Sequence, residues 1–168
     1  MENLETTQKF TIFKLSADGL AKVKSELERY ESKYSAIIPA LYIAQKENKG
    51  WVSPQVVEHL SDIMDIPASR IDEVLKFYTM FNQRPVGKHH IQVCCNVSCA
   101  MKEARELTDY ICSKLQVKEG DVTADGHFTV TRVECLGSCD TAPVAQIGDR
   151  YYENLSTDVV DQLLKELK

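Results

Sequence analysis

The sequence predicts a small bundle of short helices over residues 16–81, followed by an α/β domain over residues 90–168. Two observations lead there. Apolar residues recur at helical spacing in the first half, then give way to short β-type runs after a stretch broken by Pro85 and Gly87. All six cysteines, at 94, 95, 99, 112, 135 and 139, fall in the second part. Residues 1–15 read as an N-terminal tail and 82–89 as a linker.

Each element has its own warrant. Ser16 can cap a helix whose apolar stripe is Leu20, Val23, Leu27 and Tyr30. A second helix is expected after Ser35, with Ile37, Leu41 and Ala44 on one face and Gly50 at its end. Pro39 lies about one turn in, where a missing N–H costs little. Ser53-Pro54 is a cap followed by proline at the first helical position, and Val56, Val57, Leu60 and Ile63 continue the stripe. Pro67 opens a fourth helix through Ile71, Val74, Leu75 and Tyr78. Helices this short and this close in sequence should pack as one bundle.

Beyond the linker, Ile91-Gln92-Val93 reads as a buried strand running into Cys94. A helix is expected from about Cys99 to Leu115, with Ala100, Ala104, Leu107, Ile111 and Leu115 at helical spacing. Asp125-Gly126 turns the chain into a strand over His127–Val133. Val144–Ile147 and Tyr151–Tyr152 flank Gly148-Asp149, a hairpin signal. Ser156 then caps a last helix carrying Val159, Val160, Leu163, Leu164 and Leu167. The order β-α-β-β-β-α describes helices packed on a sheet.

Composition narrows the function. An apolar share of 43% is that of a globular chain. No run approaches the ~20 apolar residues of a membrane span. The opening MENLETTQKF has neither a signal-peptide core nor the Arg-rich character of a transit peptide, so a cytoplasmic protein is expected. That leaves open a peripheral place on the inner face of the cell membrane as part of a complex. Residues 1–88 carry 12 Lys/Arg and 12 Asp/Glu, whereas residues 89–168 carry 8 and 13. An acidic second half without a basic stripe argues against nucleic acid as a partner.

In a cytosolic chain, clustered cysteines point to metal binding or catalysis before disulfides. Two motifs carry them here. Cys94-Cys-Asn-Val-Ser-Cys99 is a C-x4-C at a strand-to-helix junction, and Cys135-Leu-Gly-Ser-Cys139 is a C-x3-C directly after a strand. Thirty-five residues lie between them, enough for a helix and a strand to bring the loops together. Four thiolates so placed suit either an iron–sulfur cluster or zinc. The surroundings favour iron. A helix beginning near Cys99 would offer unpaired N–H groups to anionic sulfur, and Gly137 would let the second loop turn its amides inward. Structural zinc pairs are usually the tighter C-x2-C, and the spacing also departs from the plant-type ferredoxin pattern.

Cys94-x4-Cys99, the stretch Val133-Glu-Cys-Leu-Gly-Ser-Cys139 and the following Ala142-Pro143-Val144 resemble the thioredoxin-like [2Fe–2S] subunit, the E type, of respiratory NADH dehydrogenase, complex I. The helical half is similar to the same family at Ile38-Pro39-Ala40-Leu41, Gly50-Trp51-Val52, Ile66-Pro67-Ala68 and Phe77-Tyr78. Gamma subunits of NAD-linked hydrogenases and formate dehydrogenases look almost the same. The resemblance implies a thioredoxin-like ferredoxin domain with one [2Fe–2S] cluster on Cys94, Cys99, Cys135 and Cys139. It also implies a partner flavoprotein subunit that binds FMN and NADH, with further iron–sulfur subunits beyond it. On this reading the chain moves single electrons and has no activity alone.

The remaining candidates have plainer readings. Cys95 departs from the family's pattern and, on extended backbone, should point away from Cys94 as a bystander. Cys112 reads as a small core residue. His89 and His90 read as polar strand residues, His59 and His127 as isolated, and Trp51, Tyr78 and Phe81 as packing. No glycine-rich phosphate loop of the GxGxxG or GxxxxGK type is present, so NADH is expected to bind elsewhere. Two other functions compete: a zinc-stapled interaction module, and a thioredoxin-like thiol oxidoreductase, which would want a C-x-x-C pair that the chain lacks.

Overall fold

Serine caps set out the first unit. The Ser16 hydroxyl accepts the Gly19 N–H at 3.0 Å and starts α1, Ala17–Arg29. The helix α2, Ile37–Glu47, begins differently from expectation. A 3-10 turn over Lys33–Ala36, capped by Ser32, runs straight into it. The Ile37 N–H is already bound to the Tyr34 carbonyl, so Ser35 is not needed as a cap. Ser53 and Pro54 start α3, Pro54–Met64, and Pro67 precedes α4, Ala68–Phe77. Val23, Leu41, Val56, Leu60, Ile66 and Ile71 are buried among these helices.

The computed structural model describes residues 13–168, and the chain divides into two units between Arg84 and Pro85. Most of the expected N-terminal tail lies outside the described residues. Its last part packs: Phe13 and Leu15 lie against the helical core, and the Leu15 N–H donates to His59 Nε2 at 3.1 Å. His59 therefore has a structural task. Among the described residues no helix is long and apolar enough to cross a membrane.

The second unit is built on four strands: β1 His89–Cys94, β2 Phe128–Val133, β3 Ala145–Ile147 and β4 Arg150–Tyr152. Their order is β2-β1-β3-β4. β1 runs parallel to β2, with Cys94 opposite Val133, and antiparallel to β3, with Val93 opposite Ala145. β3 and β4 form the hairpin about Gly148. Here the segment expected as linker ends inside the sheet, because β1 already begins at His89. Phe128, Val93, Val130 and Val144 form the buried core with Ile111 of the covering helix.

The single helix expected from Cys99 to Leu115 is two. A one-turn α5, Val97–Ala100, is separated from α6, Ala104–Leu115, by Glu103 in the left-handed region at φ 60°. At about 100° per residue, a straight helix would set Cys99 about 140° round from Ala104, away from the stripe of Leu107 and Ile111. The break turns both toward the interior: Cys99 is 2% exposed and Ala104 is fully buried. The last helix, α7 (Thr157–Glu166), is capped by Ser156 and joined to α6 where Tyr110 and Lys114 both reach Asp161.

One glycine is held by space. A Cβ on Gly87 would come within 2.5 Å of the backbone of Phe128, and its N–H donates to Thr129 Oγ1 at 2.8 Å. Backbone yields less readily than a side chain. Gly87→Ala is therefore expected to lower stability by about 2 kcal/mol, read as a lower urea midpoint with an unchanged slope.

Candidate metal centre

The centre is assembled at the C-terminal end of β1. The Cys94 N–H donates to the Val144 carbonyl and the Cys95 N–H to the Val133 carbonyl, each at 3.0 Å. Successive side chains on extended backbone diverge. Cys94 turns into the core and is 3% exposed. The Cys95 sulfur goes to the other side, 3.8 Å from Thr108 Oγ1 on α6, where burial raises its thiol pKa above the ordinary value. Cys112, half-buried on the same helix, is raised first by burial as well.

Asn96 then does two things at once. Its Oδ1 accepts the Val97 N–H at 2.8 Å to start α5, and its Nδ2 donates to Glu134 Oε2 at 2.8 Å, tying the first motif to the second. Cys99 follows within that turn. Its thiol is pushed up to about 11, first by burial, then by a hydrogen bond with the Cys94 side chain, with the charges of Cys94 and Cys139 adding to the rise. The backbone of Val144 opposes that rise. Cys94 and Cys99 lie in the same buried cluster.

The second motif is more open. Cys135 and Cys139 are exposed. Gly137, at φ 80°, donates its N–H to Cys135 Sγ at 3.3 Å. Of the expected amide donors, Gly137 turns its N–H to sulfur, as the turn at that glycine suggests. The loop is anchored by the hairpin: Tyr151 Oη donates to the Leu136 carbonyl at 2.8 Å, and Glu153 Oε1 lies 2.5 Å from Ser138 Oγ and 2.9 Å from Thr141 Oγ1. Those hydroxyls hold the Glu153 carboxyl below its ordinary pKa.

Among the described residues, no three His, Cys, Asp or Glu side chains gather round a point in the way one metal ion needs. A [2Fe–2S] cluster makes a different demand, since its four cysteines are shared between two irons. Thiols with the Gly137 N–H aimed at sulfur fit that group. Other candidates stay structural. His90, 2.8 Å from Thr131 Oγ1, is lowered by burial to about 4 and so stays neutral near pH 7. His89 and His127 pack their rings against Phe128. Arg132 is held by Asp109 at 2.5 Å and by Glu119. Sequence reasoning misses Asn96, Tyr151 and Glu153. An Asx cap before Val97 is the one signal available for any of them.

The family described as thioredoxin-like [2Fe–2S] ferredoxin matches residues 23–168. The chain belongs to that family. This thioredoxin-like ferredoxin is 38% identical over 162 residues to the E-type subunit of NADH-quinone oxidoreductase from Rickettsia bellii, covering 95% of this chain and 97% of that one. It is 39% identical over 147 residues to an E-type subunit of the same enzyme from Rhizobium meliloti, covering 88% and 87%. Among solved structures, the ferredoxin is similar to an NAD+-reducing [NiFe]-hydrogenase in the air-oxidized state, at 25% identity and a TM-score of 0.66. That match covers 76% of this chain but only 22% of the hydrogenase chain.

Proposed function

We infer that Cys94, Cys99, Cys135 and Cys139 hold one [2Fe–2S] cluster, and that the chain is the one-electron carrier subunit of an NADH-oxidising complex. The observation that carries this is the pairing of the two cysteine motifs at one end of the sheet, where Asn96 is bound to Glu134 and the Gly137 N–H donates to the Cys135 sulfur. The near full-length likeness to the E-type subunits of NADH-quinone oxidoreductases supports the assignment to such a complex. When bound, the cluster would supply one-electron transfer.

The chain's own residues do the rest. Cys94 and Cys99, buried against the core, keep water from the inner side. Asn96 fixes the distance between the motifs through Glu134. The partner is a separate flavoprotein subunit holding FMN and NADH, with further iron–sulfur subunits after it. The assembly is cytoplasmic, which leaves room for a peripheral place on the inner face of the cell membrane. A second reading, the gamma subunit of an NAD-linked hydrogenase or formate dehydrogenase, is favoured by the likeness to the NAD+-reducing hydrogenase. The companion subunits of the native complex separate the two.

Anaerobic purification tests the ligand set. The expected product is red-brown, with about two irons per chain. A colourless chain carrying a single zinc would instead establish the stapled interaction module.

A further inference from the structure

The second cysteine motif lacks the support that the first enjoys. Cys94 ends a strand paired on both sides, and Cys99 is wound into a buried helical turn. Residues 134–138 belong to no strand or helix, and both cysteines of that loop are exposed. A single 3-10 turn over Cys139–Thr141 is the one piece of regular structure at the motif, so Cys135 is fixed by none and Cys139 only by the start of that turn.

Beside the Asn96–Glu134 bond at its start, what fixes the loop comes from β4 and the residues just after it. Tyr151 holds the Leu136 carbonyl, in the middle of the motif. Glu153 holds the hydroxyls of Ser138 and Thr141, which are 2.7 Å from each other and bracket Cys139. The backbone continues the attachment, with the Asn154 N–H on the Thr141 carbonyl at 2.8 Å and the Leu155 N–H on the Pro143 carbonyl at 3.0 Å. A carboxylate in this position carries an electrostatic cost. It adds negative charge beside a loop meant for an anionic cluster. Two hydroxyls converging on one carboxylate oxygen explain its presence by geometry rather than charge.

We propose that Glu153, with Tyr151, is a positioning residue that presets the Cys135–Cys139 loop for the cluster. The proposal rests on the four-cysteine reading above. The carboxylate acts through Ser138 and Thr141 and touches no ligand. Its removal frees the loop while leaving the strand and the first cysteine pair in place.

The test uses the full chain with its cluster loaded, as E153A, E153Q and Y151F beside wild type. The control is D161A, which removes a carboxylate with a similar hydroxyl and lysine attachment between α6 and α7. The first readout is the rate of iron loss to a chelator, followed by bleaching of the visible spectrum. E153A is expected to lose iron roughly tenfold faster, because charge-assisted hydrogen bonds are the strong ones. E153Q, whose amide oxygen still accepts, should be rescued toward the wild-type rate, and D161A should match wild type. The second readout is the midpoint potential, compared between E153A and E153Q. Both lack the negative charge, so a difference between them reports a displaced loop, and E153A is expected to depart from E153Q. If E153A does not fold, Y151F must show the faster loss in its place. Release from E153A or its substitute at the wild-type rate, or equal potentials in E153A and E153Q, would overturn the proposal. Cys139→Ala, which puts no oxygen donor in place of the sulfur, is run alongside. Full iron in that variant would overturn the ligand reading itself, whereas iron lost there with unchanged release from E153A rejects Glu153 alone.

Discussion

Serine at Cys94, Cys99, Cys135 or Cys139 is expected to weaken or abolish the cluster, lowering iron below about two per chain and fading the colour. A serine oxygen is harder and more basic than thiolate and is a poor match for iron in a sulfide cluster. The four variants should differ in a second respect. Cys94 and Cys99 are core residues, so serine there also buries a hydroxyl in an apolar setting, at a cost of about 1–3 kcal/mol. Cys135→Ser and Cys139→Ser, on an exposed loop, should melt like the metal-free parent. Serine at Cys95 or Cys112 should leave the iron untouched, since the Cys95 sulfur is directed at Thr108 and Cys112 packs on α6. Iron content and visible absorption decide the matter. Loss of iron from Cys95→Ser in particular would move a ligand from Cys94 to its neighbour.

NADH alone is expected to leave the spectrum of the isolated chain unchanged, while dithionite bleaches it. Nicotinamide delivers two electrons as a hydride, which needs a flavin to divide them, and the sequence offers no phosphate-binding loop for either nucleotide. Adding the flavoprotein subunit should make NADH an effective reductant. Bleaching should then be partial, because four thiolates with no histidine ligand favour a low potential. Arg132, the cation nearest in sequence to the second motif, is already paired with Asp109 and Glu119, which weakens the pull it can exert on an added electron. Bleaching of the isolated chain by NADH would remove the case for a separate flavoprotein.

What could be read from the sequence was local. Ser16, Ser53 and Ser156 announce helices because a cap acts within three residues. Gly148-Asp149 announces its hairpin for the same reason. The cysteines stand out as two pairs because each pair sits within one short motif. The break at Glu103 is hidden. Ala100, Ala104, Leu107 and Ile111 keep helical spacing straight across it, and only the need to bury Cys99 beside Ala104 forces the chain to kink. Glu153 and Tyr151 are illegible for another reason. Their partners lie 12 to 15 residues away, across a loop whose path the tertiary structure decides.

The unequal burial of the two motifs also shapes how the chain can diverge. A change at Cys94, Cys99 or their neighbours Val93 and Ala104 must satisfy close packing and sulfur chemistry together, and few substitutions can meet both. The loop from Glu134 to Ser138 answers to fewer masters, being outside the core and held by a handful of polar contacts. Descendants of this sequence can therefore retune the outer wall of the centre one residue at a time. The inner wall is left to change only in concert with the sheet beneath it.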